Sequence, residues 1–461
     1  MKRILVFLLL LPCAVIGSQF DEKLDSVLQN SILKTASIGI EIADTKDGKP
    51  IYSYNSEKLF VPASNVKIIT SLAALNLLKP DYRFKTELYY DSLNLYIKGY
   101  GDPTLTTYDL DQIAEKVIEC GIDTIENIIY DDSYFDEKGI GSGWIEEEES
   151  YGFNARVSAL SVNKNCIKIF VKPGNYIGEK VKFILYPKTE FVEVINLAIT
   201  GDKDSLYVER KTETDKNYII LKGKMNKGSA GEVFIRHIDK PSLYTATVFN
   251  ELLQQKGVEV TGKLVKIVAD FSLRKDSSKI LYTHFSEPLI HIVYDMNKES
   301  LNFYADQILK TIGAELQGSP GSFEKGMSET DKFLASLGIS ESEAKIYDGS
   351  GLSRYNLISP RGMVKILLKA LEFDINHEFI GSLPISGTDG TLKGRMRSLQ
   401  SIRKVRAKTG TMLNVSSLSG YITTNTHNLV AFSILMNNYT CPPNVIKALQ
   451  DKIVELIITD L

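Results

Sequence analysis

Residues 61–80 read VPASNVKIITSLAALNLLKP, and this segment constrains the fold more than any other part of the chain. Pro62 lies where a helix can begin, and residues 68–78 are apolar on nearly every side, so we expect a buried helix. Ser64 and Lys67 form an SxxK motif at its start. Free N–H groups of the first helical turn favour an anionic oxygen at Ser64, and Lys67 lies one turn further on the same face. Burial lowers the pKa of such a lysine, which can then act as a base.

Two further short motifs follow along the chain. Ser300 and Asn302 form an SxN motif, and Lys408, Thr409 and Gly410 form a KTG motif. We expect KTG to lie on a strand just before the last two predicted strands, which meet at a turn at residues 425–428. The lysine and threonine of KTG offer a cation and a hydroxyl to a carboxylate, and the glycine lets a substrate backbone approach. Each motif alone is weak, because helix caps and solvated lysines explain it equally well. The order SxxK, SxN, KTG is typical of serine acyltransferases that act on D-Ala-D-Ala peptides and β-lactams.

The chain resembles the D-alanyl-D-alanine carboxypeptidases/endopeptidases of the penicillin-binding protein 4 type, which are class C low-molecular-mass penicillin-binding proteins. The resemblance extends over essentially the whole chain after its N-terminal leader, and DGSGLSR is its most discriminating segment. The matching segments are VPASNVKIIT (61–70), GDPTL (101–105), VSALSVNKNC (157–166), DGSGLSRYNLISP (348–360) and LPISGTDGTL (383–392).

The resemblance implies a mechanism for the SxxK and SxN residues. Ser64 is the nucleophile that attacks the carbonyl of the penultimate D-Ala, and Lys67 accepts its proton. Ser300 relays a proton between Lys67 or Lys408 and the leaving amine, and Asn302 holds Lys67 and the substrate amide in place. Water then hydrolyses the acyl-enzyme, and no metal or cofactor is required.

The resemblance also implies substrate-binding residues. Lys408 and Thr409 of KTG bind the terminal carboxylate, and the backbone N–H groups of Ser64 and Thr411 form the oxyanion hole. Arg354, in the GLSR segment, is a further predicted substrate contact.

Asn163 is a predicted substrate-binding residue at which this sequence departs from the family pattern. In relatives that prefer diaminopimelate, an aspartate at the matching position reaches the side-chain ammonium of the substrate. The amide of Asn163 has no charge, so a diaminopimelate preference does not follow for this chain.

The distribution of strand-like and helical segments along the chain indicates a catalytic domain that is interrupted by an insertion. Alternating segments typical of strands run from about residue 84 to residue 237, and helices dominate after Pro288. The resemblance implies an α/β (α+β) catalytic domain of the penicilloyl-serine transferase, β-lactamase-like class, formed by residues 18–84 and 284–461. A β-rich insertion, residues 85–283, separates its two halves.

The composition and the N-terminus indicate an exported protein. The 461 residues include 54 Lys and Arg against 57 Asp and Glu, which argues against a nucleic-acid binder. Residues 1–17 form a predicted signal peptide, with a basic start and an apolar run too short to span a bilayer. We expect secretion across the inner membrane, and the resemblance favours the periplasm. The expected partners are peptidoglycan peptides and β-lactams; peripheral membrane contact and the oligomeric state stay open.

Three cysteines, Cys120, Cys166 and Cys441, follow the leader, so at most one internal disulfide is expected. Neither they nor the scattered histidines show metal-site spacing, and no metal site is predicted.

Two alternative functions share parts of this pattern. A serine β-lactamase uses the same nucleophile, but the sequence has no ExxLN-like segment and no Tyr-x-Asn in place of SxN. A non-catalytic module that binds β-lactams or cell wall would be favoured by loss of a motif residue, and none is lost.

Overall fold

The computed structural model describes residues 15–145, 151–213, 216–267, 279–398 and 401–461, so residues 1–14 of the predicted signal peptide lie outside the described residues. The helices are α1 (Val15–Leu28), α2 (Val66–Leu77), α3 (Thr107–Glu119), α4 (Pro241–Gln255), α5 (Leu289–Lys298), α6 (Asn302–Gln317), α7 (Phe323–Ser336), α8 (Pro360–Ala370), α9 (Asn376–Ser382) and α10 (Pro443–Asp460).

The strands alternate with these helices along the chain. They are β1 (Ser37–Asp44), β2 (Pro50–Tyr54), β3 (Lys85–Tyr90), β4 (Leu95–Gly99), β5 (Thr124–Ile125), β6 (Ile128–Asp131), β7 (Cys166–Lys172), β8 (Lys182–Tyr186), β9 (Val192–Asn196), β10 (Ile199–Gly201), β11 (Tyr207–Glu213), β12 (Lys216–Lys222), β13 (Lys224–Asn226), β14 (Glu232–His237), β15 (Glu259–Val260), β16 (Leu264–Lys266), β17 (Lys279–Phe285), β18 (Ala344–Lys345), β19 (Leu357–Ile358), β20 (Val405–Met412), β21 (Val415–Thr423) and β22 (Leu429–Asn437).

The chain divides into two compact units, and the first comprises Met1–Pro62, Ile358–Phe373 and Leu383–Leu461. Its centre is an antiparallel sheet with the order β2-β1-β22-β21-β20. Helix α10 packs with alternate residues of this sheet such as Leu418 and Phe432. On the opposite face, the hydroxyl of Tyr421 donates to the carbonyl of Leu367 in α8 at 2.6 Å. Helices therefore cover both faces, which explains why β21 and β22 are buried almost throughout.

Two hairpins belong to this sheet. β1 and β2 pair antiparallel across Asp47-Gly48, and Gly48 has the left-handed φ of 70° that such turns favour. β21 and β22 pair antiparallel around the turn at 425–428. KTG lies on strand β20, as expected.

The second unit comprises Ala63–Leu357 and Asp374–Ser382. It contains a mixed sheet with the order β16-β6-β4-β3-β17 and two three-stranded sheets, β14-β7-β8 and β11-β12-β9. Among the described residues, the strands from β3 to β17 pair only with one another. Residues 84–237 were expected to be strand-rich, but they also contain α3, which packs with α4 on the sheets of this unit and fills its core. The boundaries at residues 84 and 284 stay a prediction.

Helix α2 is surrounded by other helices of the second unit. It packs on α5, α6 and α7, and every residue from Val66 to Leu75 is buried, as the apolar pattern predicts. This packing brings the start of α2 next to the start of α6, although the two are more than 200 residues apart in sequence.

Two further findings concern the described residues as a whole. Cys120, Cys166 and Cys441 are all free thiols, so the single disulfide that the odd count allowed is not formed. In the part of the chain that the structure describes, no helix combines the length and apolarity needed to span a membrane.

Candidate active site

The SxxK serine lies in a short turn that leads into α2. Residues Ala63–Asn65 form one turn of 3-10 helix, and α2 continues from Val66. Ser64 is partly exposed, whereas Lys67 one turn later is completely buried. The local sequence thus presents a hydroxyl at the surface of the unit and a lysine beneath it.

The buried ammonium of Lys67 connects the two motifs of this unit. Its Nζ lies 3.0 Å from Oγ of Ser64 and donates to Oδ1 of Asn302 at 2.7 Å. It also donates to the backbone carbonyl of Ser350 at 2.6 Å. Three contacts from one side chain hold Nζ at a fixed distance from the Ser64 hydroxyl.

Burial changes the acid–base properties of this group. Desolvation lowers the pKa of Lys67 to about 8, although the nearby carboxyl groups of Asp306 and Asp348 oppose this shift. Burial is the main reason why the pKa of Asp306 is raised well above its ordinary value, and the neighbouring carboxyl group of Asp348 raises it further. A lysine with a pKa near 8 is neutral in a useful fraction of molecules close to neutral pH, and a neutral amine can accept a proton.

The DGSG segment supplies the carbonyl that contacts Lys67. Asp348 organises this turn, because Oδ1 accepts from the N–H of Gly351 at 2.8 Å and Oδ2 from the N–H of Ser353 at 2.6 Å. The indole Nε1 of Trp144 donates to the same Oδ2 at 2.9 Å. The carboxylate therefore fixes the loop that carries the Ser350 carbonyl.

Two glycines let this loop approach the helices. Gly351 has a φ of 90°, and a Cβ atom there would lie 2.0 Å from the carbonyl oxygen of Ala63, beside Ser64. A Cβ atom on Gly349 would lie 2.4 Å from the carbonyl oxygen of Ala305 in α6. Neither residue can carry a side chain without moving the loop.

The three motifs do not include Asp306, Asp348 or Ser350, and no role was predicted for them. The quoted DGSGLSR segment contained a signal for two of them, since a repeated glycine pattern indicates close backbone approach. Asp306 lies four residues after Asn302 and therefore on the same face of α6. This helical spacing was a second indication in the sequence that Asp306 lies near the SxN motif.

Ser300 and Asn302 lie on the wall of a cavity of about 520 Å³. Ser300 has a left-handed φ of 58°, and Asn302 begins α6. The amide Nδ2 of Asn302 donates to the carbonyl of Phe153 at 3.0 Å, so its orientation is fixed from two sides. Tyr151 and Phe153, stacked with ring centroids 5.5 Å apart, form another part of the wall.

The two other predicted contacts of this unit lie in different surroundings. Asn163 also lines the cavity, but its amide is engaged with Thr107 at the start of α3, with contacts of 3.1 Å and 2.6 Å. Arg354 is partly exposed in the loop after DGSG, and its N–H donates to the carbonyl of Gly143 at 3.2 Å. Their roles toward a substrate stay predictions.

The KTG residues belong to the first compact unit and are described there. Lys408 is buried on β20, and its Nζ donates to the carbonyl of Thr409 at 2.9 Å. The Thr409 hydroxyl donates to Oγ1 of Thr391 at 2.8 Å. Gly410 and Thr411 continue the same strand in register with β21.

Comparison with known proteins shows which family the chain belongs to. The model of the D-Ala-D-Ala carboxypeptidase 3 (S13) family matches residues 20–459. A D-alanyl-D-alanine carboxypeptidase from Actinomadura sp. is 32% identical over 97% of this chain and 88% of its own. D-alanyl-D-alanine carboxypeptidase DacB from Haemophilus influenzae is 26% identical over 90% of this chain and 88% of its own.

Solved structures agree with the predicted fold class. The crystal structure of penicillin-binding protein 4 from Haemophilus influenzae has a TM-score of 0.80 at 24% identity, covering 91% of this chain and 94% of that one. A predatory peptidoglycan endopeptidase from Bdellovibrio bacteriovorus has a TM-score of 0.54 at 15% identity, covering 91% and 92%. The predicted penicilloyl-serine transferase fold and the family resemblance are both confirmed. The chain belongs to the D-Ala-D-Ala carboxypeptidase 3 family and is a serine-type peptidase.

Proposed function

We propose that Ser64 is the nucleophile and Lys67 the base of this carboxypeptidase. The observation that carries the proposal is the 3.0 Å contact between Nζ of Lys67 and Oγ of Ser64, in a setting that lowers the pKa of the lysine to about 8. As Oγ attacks the carbonyl carbon of the penultimate D-Ala, its proton passes to Lys67. The D-Ala amide bond then breaks, and the C-terminal D-Ala leaves as an amine that has gained a proton.

Ser300 and Asn302 complete the proton path in this proposal. Ser300 relays the proton from Lys67 to the leaving amine, and Asn302 orients Lys67 through its 2.7 Å contact. In the second half of the reaction water attacks the acyl-serine ester and gives a proton to Lys67; the bond between the acyl carbon and Oγ of Ser64 breaks, and Lys67 returns the proton to Oγ.

The KTG strand supplies the remaining roles by resemblance to the family. Lys408 and Thr409 bind the terminal carboxylate of the peptide, and Gly410 leaves room for its backbone. The N–H groups of Ser64 and Thr411 stabilise the oxyanion, an effect worth about 3 kcal/mol for each donor. Arg354 and Asn163 contact the remainder of the stem peptide.

The substrates follow from the same chemistry. A peptidase that cleaves terminal D-Ala-D-Ala also cleaves D-Ala cross-links when the site accepts a longer amine, so we propose both carboxypeptidase and endopeptidase activity on peptidoglycan. β-Lactams acylate the same serine; one solved relative is described as a complex with a β-lactam. The predicted signal peptide favours action in the periplasm.

Replacement of the nucleophile tests the proposal. Ser64→Ala should abolish both labelling by fluorescent penicillin and release of D-Ala from a pentapeptide, because no ester can form. Ser342→Ala is the matched control, since Ser342 begins another SxxK sequence and is exposed. It should leave both measurements unchanged. Persistent labelling of Ser64→Ala would refute the assignment.

Two measurements define the activity further. Digestion of purified cross-linked muropeptides separates endopeptidase from carboxypeptidase cleavage, and we expect products of both. The penicilloyl adduct should be stoichiometric and long-lived. Its rapid hydrolysis would indicate a β-lactamase instead.

A further inference from the structure

An exposed apolar face lies on the three-stranded sheet β14-β7-β8. Alternate residues of β7, namely Ile167, Ile169 and Val171, point into the core and are fully buried. The residues between them point the other way, together with their register partners on β8 and β14. We call this surface the sheet face; it consists of Val233, Ile235, Lys168, Phe170, Lys172, Lys182, Ile184 and Tyr186.

The sheet face has ordered rows of side chains. Val233, Phe170 and Ile184 lie side by side across the three strands. Ile184 is 69% exposed and Phe170 39% exposed, so the described residues do not cover this row. Single exposed apolar residues are ordinary, but a contiguous apolar row across a sheet indicates a binding surface.

The connection between β7 and β8 extends this surface beyond the sheet. Tyr176 and Ile177 lie in it, and each is 63% exposed. Lys172 and Lys182 are register partners at the same end of the strands, and Lys180 nearby is also exposed. The one acidic side chain of this connection, Glu179, accepts from the N–H of Tyr176 and is thereby turned toward its own backbone.

We propose that the sheet face and the Tyr176-Ile177 connection bind the surface of a bilayer containing anionic lipid. Aromatic and aliphatic side chains ringed by lysines suit the boundary between head groups and acyl chains, because lysine stems lie along apolar surface while their ammonium groups reach lipid phosphates. The eight side chains of the face include three lysines and no acid, which complements a negative surface.

The chemistry of the face argues against other occupants. Interfaces between proteins are depleted in lysine at their centres and enriched in arginine, and this face shows the opposite. Binding of a glycan needs polar donors and acceptors among the aromatic rings, and the face has no Asp, Asn, Glu or Gln.

Binding in this manner has a consequence for the reaction. Ile235, Lys168 and Tyr186 at one side of the sheet face also line the cavity that contains Ser300 and Asn302. A docked molecule would hold this cavity beside the lipid surface, where it would meet peptides that are kept close to the membrane. The binding itself does not depend on the catalytic roles proposed above.

Flotation with unilamellar vesicles tests the proposal. The probe is phosphatidylcholine alone or mixed with phosphatidylglycerol, and the exported protein is used after mass spectrometry has shown which N-terminus it carries. We expect binding only to the anionic vesicles, weakening as salt rises. The variants Lys172→Gln with Lys182→Gln, and Phe170→Ser with Ile184→Ser, should each weaken binding at least about tenfold.

Matched controls separate the face from general surface effects. Leu93→Ser removes an exposed apolar side chain outside the face, and Lys34→Gln with Lys393→Gln removes the same charge elsewhere. These controls should bind as the unchanged protein does. All variants should retain labelling by penicillin and the thermal midpoint, because the substituted side chains are exposed and do not line the cavity.

Three outcomes would overturn the proposal. In the first outcome, the unchanged protein fails to bind anionic vesicles. In the second, the face variants bind these vesicles as well as the unchanged protein does. In the third, the face variants keep vesicle binding but no longer sediment with insoluble peptidoglycan, which would identify the wall polymer as the occupant.

Discussion

Lys67 shows how a single residue obtains its chemistry from burial. An exposed lysine is protonated at neutral pH, but the interior destabilises the charged form and lowers the pKa of Lys67 to about 8. The carboxyl groups of Asp306 and Asp348 raise this pKa and so oppose the effect of burial. The side-chain oxygen of Asn302 and the backbone carbonyl oxygen of Ser350 accept hydrogen bonds from the Lys67 ammonium. Desolvation is the largest of these effects, so the residue is poised to exchange a proton near neutral pH.

The rate of acylation should therefore depend on pH through Lys67. Only the neutral amine accepts the Ser64 proton, and a pKa of about 8 means that this form increases as the pH rises toward that value. The second-order rate constant for acylation by penicillin should increase by about tenfold per pH unit below pH 8 and level off above it. A stopped-flow or quench series would measure this profile. A flat profile from about pH 6 to about pH 9 would contradict the role of Lys67.

At the scale of elements, a loop and two helices form the candidate site. The turn at DGSG packs against the start of α2 and against α6, and its backbone carbonyls accept from Lys67 and from Thr70 of α2. Gly351 makes this packing feasible because its left-handed φ and missing side chain leave space for the carbonyl of Ala63. The loop thus acts as a structural part of α2, although it is remote in sequence.

Gly351→Ala should disrupt this arrangement. The left-handed conformation and the contact with the Ala63 carbonyl should together lower the free energy of unfolding by about 2 kcal/mol or more. Acylation by penicillin should also slow, because the Ser350 carbonyl moves away from Lys67. Denaturant titration and labelling kinetics measure the two effects.

Gly381→Ala is the control for this change. Gly381 lies in helix α9, and a Cβ atom there meets nothing within 4 Å. Its stability should be equal to that of the unchanged protein or slightly higher, since alanine favours helix. Equal stability of Gly351→Ala and Gly381→Ala would refute the packing argument.

For the whole molecule, stability comes from packed cores without disulfide bonds in the described residues. One core lies between the central sheet and helices α1 and α10 of the first unit, and another lies among the sheets and helices α3 and α4 of the second. Cys120, Cys166 and Cys441 remain thiols although export would allow their oxidation. The burial of apolar side chains must therefore provide the stability that disulfide bonds provide in many small secreted proteins.

A reducing agent should accordingly have no effect on the unfolding temperature. The free thiols of Cys120, Cys166 and Cys441 leave no bond for dithiothreitol to reduce. Calorimetric scans with and without dithiothreitol should superimpose, and thiol titration of the unfolded protein should count these three cysteines as reactive. A lower midpoint in the reduced sample would show that a disulfide had formed.

The sequence was sufficient for features that depend on local pattern. The buried helix α2, the hairpin of β21 and β22 and the position of KTG on a strand follow from the periods of helices and strands and from turn residues. The order of the three motifs indicated the family. The boundaries of the insertion stay a prediction, and helix α3 within it was not predicted because the segments on both sides of it alternate as strands do.

The sequence by itself determined that Lys67 lies in the first turn of a buried helix, α2, just after Ser64. Only the tertiary structure decided that the Ser350 carbonyl, 283 positions after Lys67, completes the contacts of that lysine. It also placed Asp306 and Asp348 near enough to influence its pKa. The physical reason is range: periodicity acts between neighbours in the chain, whereas desolvation and charge act between groups that meet only when distant segments pack together.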